Sequence, residues 1–437
     1  MNIFIKFNVQ LVKMLTDFPF NWLAGLKDDL IAKGVNYLER NTSTEQLVDH
    51  LIKMNDLGKF WLVCIRGYSQ KGIIPVKKRL ISTGLDALCI TVLGYIIFLA
   101  LTADTRKQSV QIATSIFILI NLLGIRWASI YCEYIDQYTI LRFFDDIIRT
   151  GSFDIHCLLG STNCNLFKWF TFILLQFYSL STIISGIALI LYHIFAVLRV
   201  DLKLGWTLLT DVTILITVPS VAFVIIFVVH NVTWCFTHII ILMIHSAFAL
   251  DNIHKKAIKS MTTSKCNADP TQADSNDCAE YWHSSNFCYN QIKIMKYQLS
   301  PITFYGYLLG CLGTDFALFT GAIYGTGDST LNYIITGLGL LALQILTMVN
   351  EASAFALRII SKCEKLNYRM SCCCKCQTTI KLKGLLTIER MQYSKVGFYV
   401  GQLFLMDNLQ YLMVSGHFNC FFDYKSHYKL GLSLILV

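Results

Sequence analysis

Three aspartates lie inside long runs of apolar residues: Asp86, Asp211 and Asp315. An ionisable side chain set in hydrocarbon is costly, so each is a functional candidate by default. Asp211 and Asp315 fall near the outer ends of their runs, and two readings stay open for both: solvation at a helix end, or a place in a polar pocket. Arg126 and Trp127 close another run at the opposite boundary, where a snorkelling cation and an interfacial anchor are expected. Tyr192, Trp206, Tyr324 and Tyr333 gather near the outer boundary, with His193 beside them. An aromatic belt at the headgroups and an apolar ligand pocket between helices both fit that pattern.

The 16 cysteines lack the paired spacing of a disulfide framework. Cys372, Cys373 and Cys374 stand together in a basic segment, with Cys363 before and Cys376 after them. Three consecutive thiols suit tetrahedral zinc poorly; palmitoylation beside a membrane fits them better, with inert thiols the alternative. Gly306 with Gly310, Gly321 with Gly325, and Gly397 with Gly401 have the spacing that lets helices approach closely. Two glycosylation sequons begin at Asn41 and Asn231, the first expected in the cytosol and the second within a helix, so neither is expected to carry sugar. No phosphate-binding glycine loop, catalytic triad or metal-ligand pair stands out, so neither an enzyme nor a cofactor, a metal or a nucleic-acid partner is expected.

What must position these residues follows from composition. Hydrophobic residues make up 54% of the 437 and charged ones only 15%, with a mean hydropathy of +0.52. A soluble domain needs about a quarter charged residues to cover its outside, whereas a bilayer asks for apolar spans of about 20 residues. Such spans occur at 80–102, 109–130, 169–198, 206–250, 302–324 and 331–360, with a weaker one at 396–415. The fold class expected is therefore an all-α membrane protein, a seven-transmembrane helical bundle. The first 20 residues, with Lys6, Lys13 and Asp17 among apolar ones, read as an amphipathic cytosolic helix rather than a signal peptide.

The run at 206–250 has 45 residues, about 68 Å of helix, enough for one long helix or two crossings. Lysine and arginine decide between them. They concentrate in segment 1–79, in loop 251–301 (Lys255, Lys256, Lys259) and in the Cys-rich loop 361–395 (Lys362, Lys365, Arg369), while the other connections after the first, third and fifth spans are short and poor in them. Taking 206–250 as one helix puts all three basic segments, together with loop 131–168, in the cytosol, the amino terminus inside and the carboxyl terminus outside. Cys266, Cys278 and Cys288 then fall in a reducing compartment. That orientation is the reverse of a G-protein-coupled receptor, and neither an acidic-Arg-Tyr triplet after the third span nor an Asn-Pro-x-x-Tyr in the seventh is present.

The segment Gly401-Gln402-Leu403-Phe404-Leu405-Met406-Asp407-Asn408-Leu409 resembles the junction that opens the last helix of insect gustatory receptors. The inside-out plan, short outer loops, long fourth helix and long loops before spans five and seven are similar to that family over most of the chain. The resemblance implies a tetramer, of one subunit type or of related ones, forming a ligand-gated cation channel in the plasma membrane. The last helix would line the pore, with Gly401, Asp407, Leu409 and Leu412 on it, and a small-molecule ligand would sit in the outer half of the bundle among Tyr192, His193, Trp206, Asp211, Asp315, Tyr324 and Tyr333. Its remaining partner is membrane lipid.

The chain departs from that family in region 396–437. A closing Thr-Tyr, five apolar residues and Gln-Phe are absent, and residues 416–429 carry His417, Asn419, Asp423, Lys425, His427 and Lys429. Three accounts fit: a divergent receptor, a non-conducting relative, or a gene model that reads past its true last exon after about Met413.

Overall fold

The structure is a computed structural model that describes residues 42–101, 106–135, 138–201, 208–264, 273–324, 329–373, 378–393, 397–400 and 404–405. The first element, α1 (Thr44–Phe60), starts where Ser43 accepts the Gln46 N–H at 3.3 Å, with Glu45 in its positive first turn and Lys59 in its negative last one. Leu47, Leu51 and Met54 form a stripe at helical spacing and are buried. Gly58 continues it because the Trp234 indole lies against the backbone there: an added Cβ would stand 3.0 Å from the ring. Trp234 Nε1 donates to the Met54 carbonyl at 3.0 Å, which fixes the contact.

After α1 the chain does not leave for solvent. Leu62, Val63, Cys64, Ile65 and Tyr68 are buried, and Gly67, at φ 67°, supplies the left-handed turn between them. The apolar helices follow: α2 (Val76–Leu101), α3 (Arg106–Tyr134), the short α4 (Arg142–Thr150), α5 (Gly160–Asp201) and α6 (Leu208–Ser264). Next come α7 (Ala273–Phe304), α8 (Gly310–Leu318), α9 (Ser329–Cys373) and α10 (Thr378–Tyr393). Helix α6 is the hub, packing on α1, α2, α3, α5, α7 and α9. Its middle is buried nearly all round, mostly by apolar residues, with Asn231, Thr233, Thr237, His238 and Ser246 among them.

Among the described residues, five stretches are long and apolar enough to cross a membrane: Val76–Phe98, Gly160–Ile184, Ile226–Ser260, Cys278–Ala322 and Ile335–Ser371. The chain is thus all-α across its main body and carries the features of a multi-span membrane protein. The choice left by run 206–250 is resolved as far as the described residues 208–250 go: they belong to one unbroken helix of 57 residues, about 86 Å long, with Pro219 inside it. The expected loop 251–301 is largely helical, because α6 continues to Ser264 and α7 starts at Ala273. The Cys-rich segment 361–395 is likewise mostly the end of α9 and all of α10.

Two π turns, Tyr305–Leu309 and Phe319–Tyr324, flank α8. The first begins four residues after Pro301, whose missing N–H has already interrupted the hydrogen-bond ladder of α7. The weak span at 396–415 does not open as a helix: Tyr399–Val400 pairs antiparallel with Phe404–Leu405, Tyr399 opposite Leu405. Aromatic and β-branched residues on either side of Gly401 favour a short hairpin there. Its Tyr399 ring lies under Lys296 of α7, 3.6 Å from the ammonium.

Candidate functional site

Arg126 is buried, which corrects the expectation of a snorkelling cation. Its Nε donates to Asp86 Oδ1 on α2 at 2.8 Å, Nη1 to Asn231 Oδ1 on α6 at 2.9 Å and to the Leu62 carbonyl at 3.3 Å, and Nη2 to Ser82 Oγ at 3.1 Å. The guanidinium carbon also stands 4.1 Å from the centre of the Phe227 ring. The arginine stays inward because the residues after α1 fold back under the bundle and cover the boundary to which it would otherwise extend. Asp86 is its counter-ion, a pairing that the sequence reading did not anticipate. The Asn231 amide is consumed inside the protein, its Nδ2 donating to the Phe227 carbonyl at 2.7 Å. Trp127 remains partly exposed, as an interfacial anchor requires.

Near the C-terminal end of α3, about two turns after Arg126, Glu133 holds the segment after α1 in place. Its carboxylate accepts the Ile65 N–H at 2.8 Å and the Arg66 N–H at 2.6 Å, and Arg66 Nη2 donates to the Glu133 carbonyl at 2.8 Å. Burial pushes this carboxyl above its ordinary range, and the two backbone donors pull it part of the way back.

Next to the arginine, between α3, α6, α8 and α9, lies a cavity of about 150 Å³. Ile125, the neighbour of Arg126, and Val232, the neighbour of Asn231, both line it. Gly306, Gly310 and Gly313 line it from α8 and the π turn before it, and Gly339 from α9, so at these points the wall is backbone rather than side chain. An added Cβ at Gly306 would come within 2.5 Å of the Phe236 ring, and one at Gly310 within 3.3 Å of Leu346. The small-residue spacing of Gly306 and Gly310 thus serves close approach to α6 and α9 as well as cavity shape.

Three polar side chains reach this lining: Asn121, Thr233 and Thr314. Thr233 Oγ donates to the Val229 carbonyl at 2.7 Å and meets Thr182 Oγ at 3.0 Å. Asn121 Nδ2 donates to the Phe117 carbonyl at 2.9 Å, but its Oδ1 is buried without a partner, as is Thr314 Oγ. A buried acceptor and a buried hydroxyl left open on one apolar cavity are the arrangement that orients a small molecule.

Two of the residues singled out from sequence sit elsewhere. Asp315 and Tyr333 are exposed and do not line the cavity. Tyr192 and His193 lie on α5, Asp211 on α6 and Tyr324 at the end of the second π turn, but their side chains, and all of Trp206, lie outside the described residues. The same holds for Gly401, Asp407, Leu409, Leu412, Cys374 and Asn41; Cys372 and Cys373 close α9 with side chains outside the description. Asn121 and Thr314 carry no charge, so the cost of burying an ionisable group does not mark them in the sequence. A lone asparagine at the middle of run 109–130 was the available signal. Among the described residues no cluster of histidine, cysteine and carboxylate is placed to hold a metal. No known family model matches the chain, and no curated protein does.

Proposed function

We propose that this protein is a chemosensory receptor of the plasma membrane that acts as a ligand-gated cation channel for small molecules, assembled as a tetramer. The observation that carries the reading is the apolar cavity between α3, α6, α8 and α9 with two unpaired buried oxygens on its lining. A receptor needs such an interior site, and helices of the length and apolarity of α6 and α9 suit a bundle that extends beyond the bilayer. The likeness of residues 401–409 to the gustatory-receptor junction supplies the channel class, and the basic segments supply the orientation, amino terminus inside.

The test is whole-cell current in a heterologous cell under a panel of sugars, bitter compounds and volatiles, with surface labelling of the same cells. Ligand-evoked cation current supports the channel. Silence under every ligand, with protein at the surface, favours a non-conducting receptor-like protein. An epitope placed after Val437 should label on intact cells; an epitope hidden there would point to a metabotropic seven-span receptor instead.

A further inference from the structure

The cavity restricts what can occupy it more closely than the general reading does. At about 150 Å³ with an apolar lining, it has the size of cavities that take a benzene ring. Of its three polar side chains, Thr233 is already bonded, which leaves one acceptor, Asn121 Oδ1, and one hydroxyl, Thr314 Oγ. The Phe117 carbonyl takes the asparagine Nδ2, so the amide is oriented with its oxygen unpaired. Gly313 lets that amide lie against the backbone of α8 beside Thr314: an added Cβ there would stand 3.1 Å from Asn121 Nδ2. Both residues are more than nine-tenths buried.

We infer that the cavity binds compact apolar molecules of about benzene size bearing one hydroxyl, small alcohols and phenols, whose O–H donates to Asn121 Oδ1 and whose oxygen accepts from Thr314 Oγ. This rests on the reading of the cavity as the ligand site. One hydroxyl satisfies both open groups at once. A hydrocarbon of the same size leaves both unsatisfied, and a sugar carries several hydroxyls into a lining that has partners for one. Each hydroxyl stripped of water without a partner lowers affinity by about tenfold or more.

The experiment measures binding of phenol, benzene and fructose to the purified full-length protein in lipid nanodiscs by saturation-transfer NMR, with empty nanodiscs as the partition control. Phenol should bind about tenfold more tightly than benzene, and fructose should not bind. Asn121→Leu should weaken phenol about tenfold and leave benzene within about twofold. Thr314→Val, which keeps the shape, should act in the same direction and carries the test if Asn121→Leu does not fold. Ala317→Phe should fill the space and abolish both. Phenol affinity unchanged in both polar variants, fructose binding as well as phenol, or no probe binding above the empty-disc control would each overturn the inference; the last result fits a cavity holding only water. Phenol bound through Asn121 without current in the whole-cell assay would sink the channel and leave this site standing. Fructose-evoked current without phenol binding would do the reverse.

Discussion

Replacing Arg126 by methionine removes a cation that touches α2, α6 and the segment after α1 together. Asp86, 22% exposed at its side chain, then loses its counter-ion, and Asn231 Oδ1, Ser82 Oγ and the Leu62 carbonyl lose a donor. Breaking a buried pair from one side costs about 3–5 kcal/mol, because the surviving charge stays desolvated without a partner. Asp86→Leu attacks the pair from the other side and should cost about the same, since Arg126 has no other carboxylate contact among the described residues. Replacing both with apolar residues of similar volume, Arg126→Met with Asp86→Leu, leaves no buried charge. It should recover about 2–3 kcal/mol of the summed single losses. The assay is thermal unfolding of the four proteins in one detergent, followed by size-exclusion profile. Additive losses, with a coupling below about 0.5 kcal/mol, would refute the argument that the two charges act as a pair.

Three further outcomes follow from the same packing. Gly306→Ala should lower stability by about 1–3 kcal/mol, read by the same unfolding assay, because its Cβ must displace the buried Phe236 ring 2.5 Å away. Gly384→Ala should weaken the docking of α10 on α7, where the Trp282 ring occupies the space of a Cβ, and should speed limited proteolysis of α10. Glu133→Gln leaves one of two N–H groups without an acceptor and should cost about 1–3 kcal/mol. Because burial holds this carboxyl above its unfolded value, its contribution is full below that value and fades as pH rises through the folded one. The gap between wild type and Glu133→Gln should therefore narrow from about pH 4 upward, and a constant gap would contradict this.

Apolar length and basic asymmetry made the long helices legible in the sequence, including the single helix through 208–250, because both signals depend only on the chain itself. What the sequence concealed is pairing between distant residues. Arg126 and Asp86 are 40 positions apart, and nothing local to either says that one neutralises the other. The snorkelling expectation for Arg126 failed because it treated the inner boundary as open to water, whereas residues 62–68 pack over it. The hairpin at Tyr399 was hidden for a different reason: mean apolarity over 20 residues does not separate a helix from strands when Gly401 interrupts the run. Candidate site residues chosen for charge and aromaticity favoured the outer boundary, while the cavity depends on glycines and on two neutral oxygens.

The position of the cavity beside the ion pair has a mechanical consequence. Ile125 and Arg126 are consecutive on α3, and Asn231 and Val232 are consecutive on α6, so a molecule entering the cavity presses on the same turns that hold the guanidinium. Apolar side chains can slide past one another at small cost, but a buried guanidinium cannot leave Asp86 and Asn231 without stranding charge in a medium of low dielectric. Movement between α3 and α6 is therefore resisted at Arg126. The softer wall is α8, bounded by π turns on both sides and preceded by Pro301, where the hydrogen-bond ladder is already irregular. Displacement on filling the cavity should fall on α8. Hydrogen exchange should show faster amides at Tyr305–Leu309 and Phe319–Tyr324 than along the α6 turns around Asn231, with the difference changing when phenol is added. Equal protection in both regions, unchanged by phenol, would place the yielding element elsewhere.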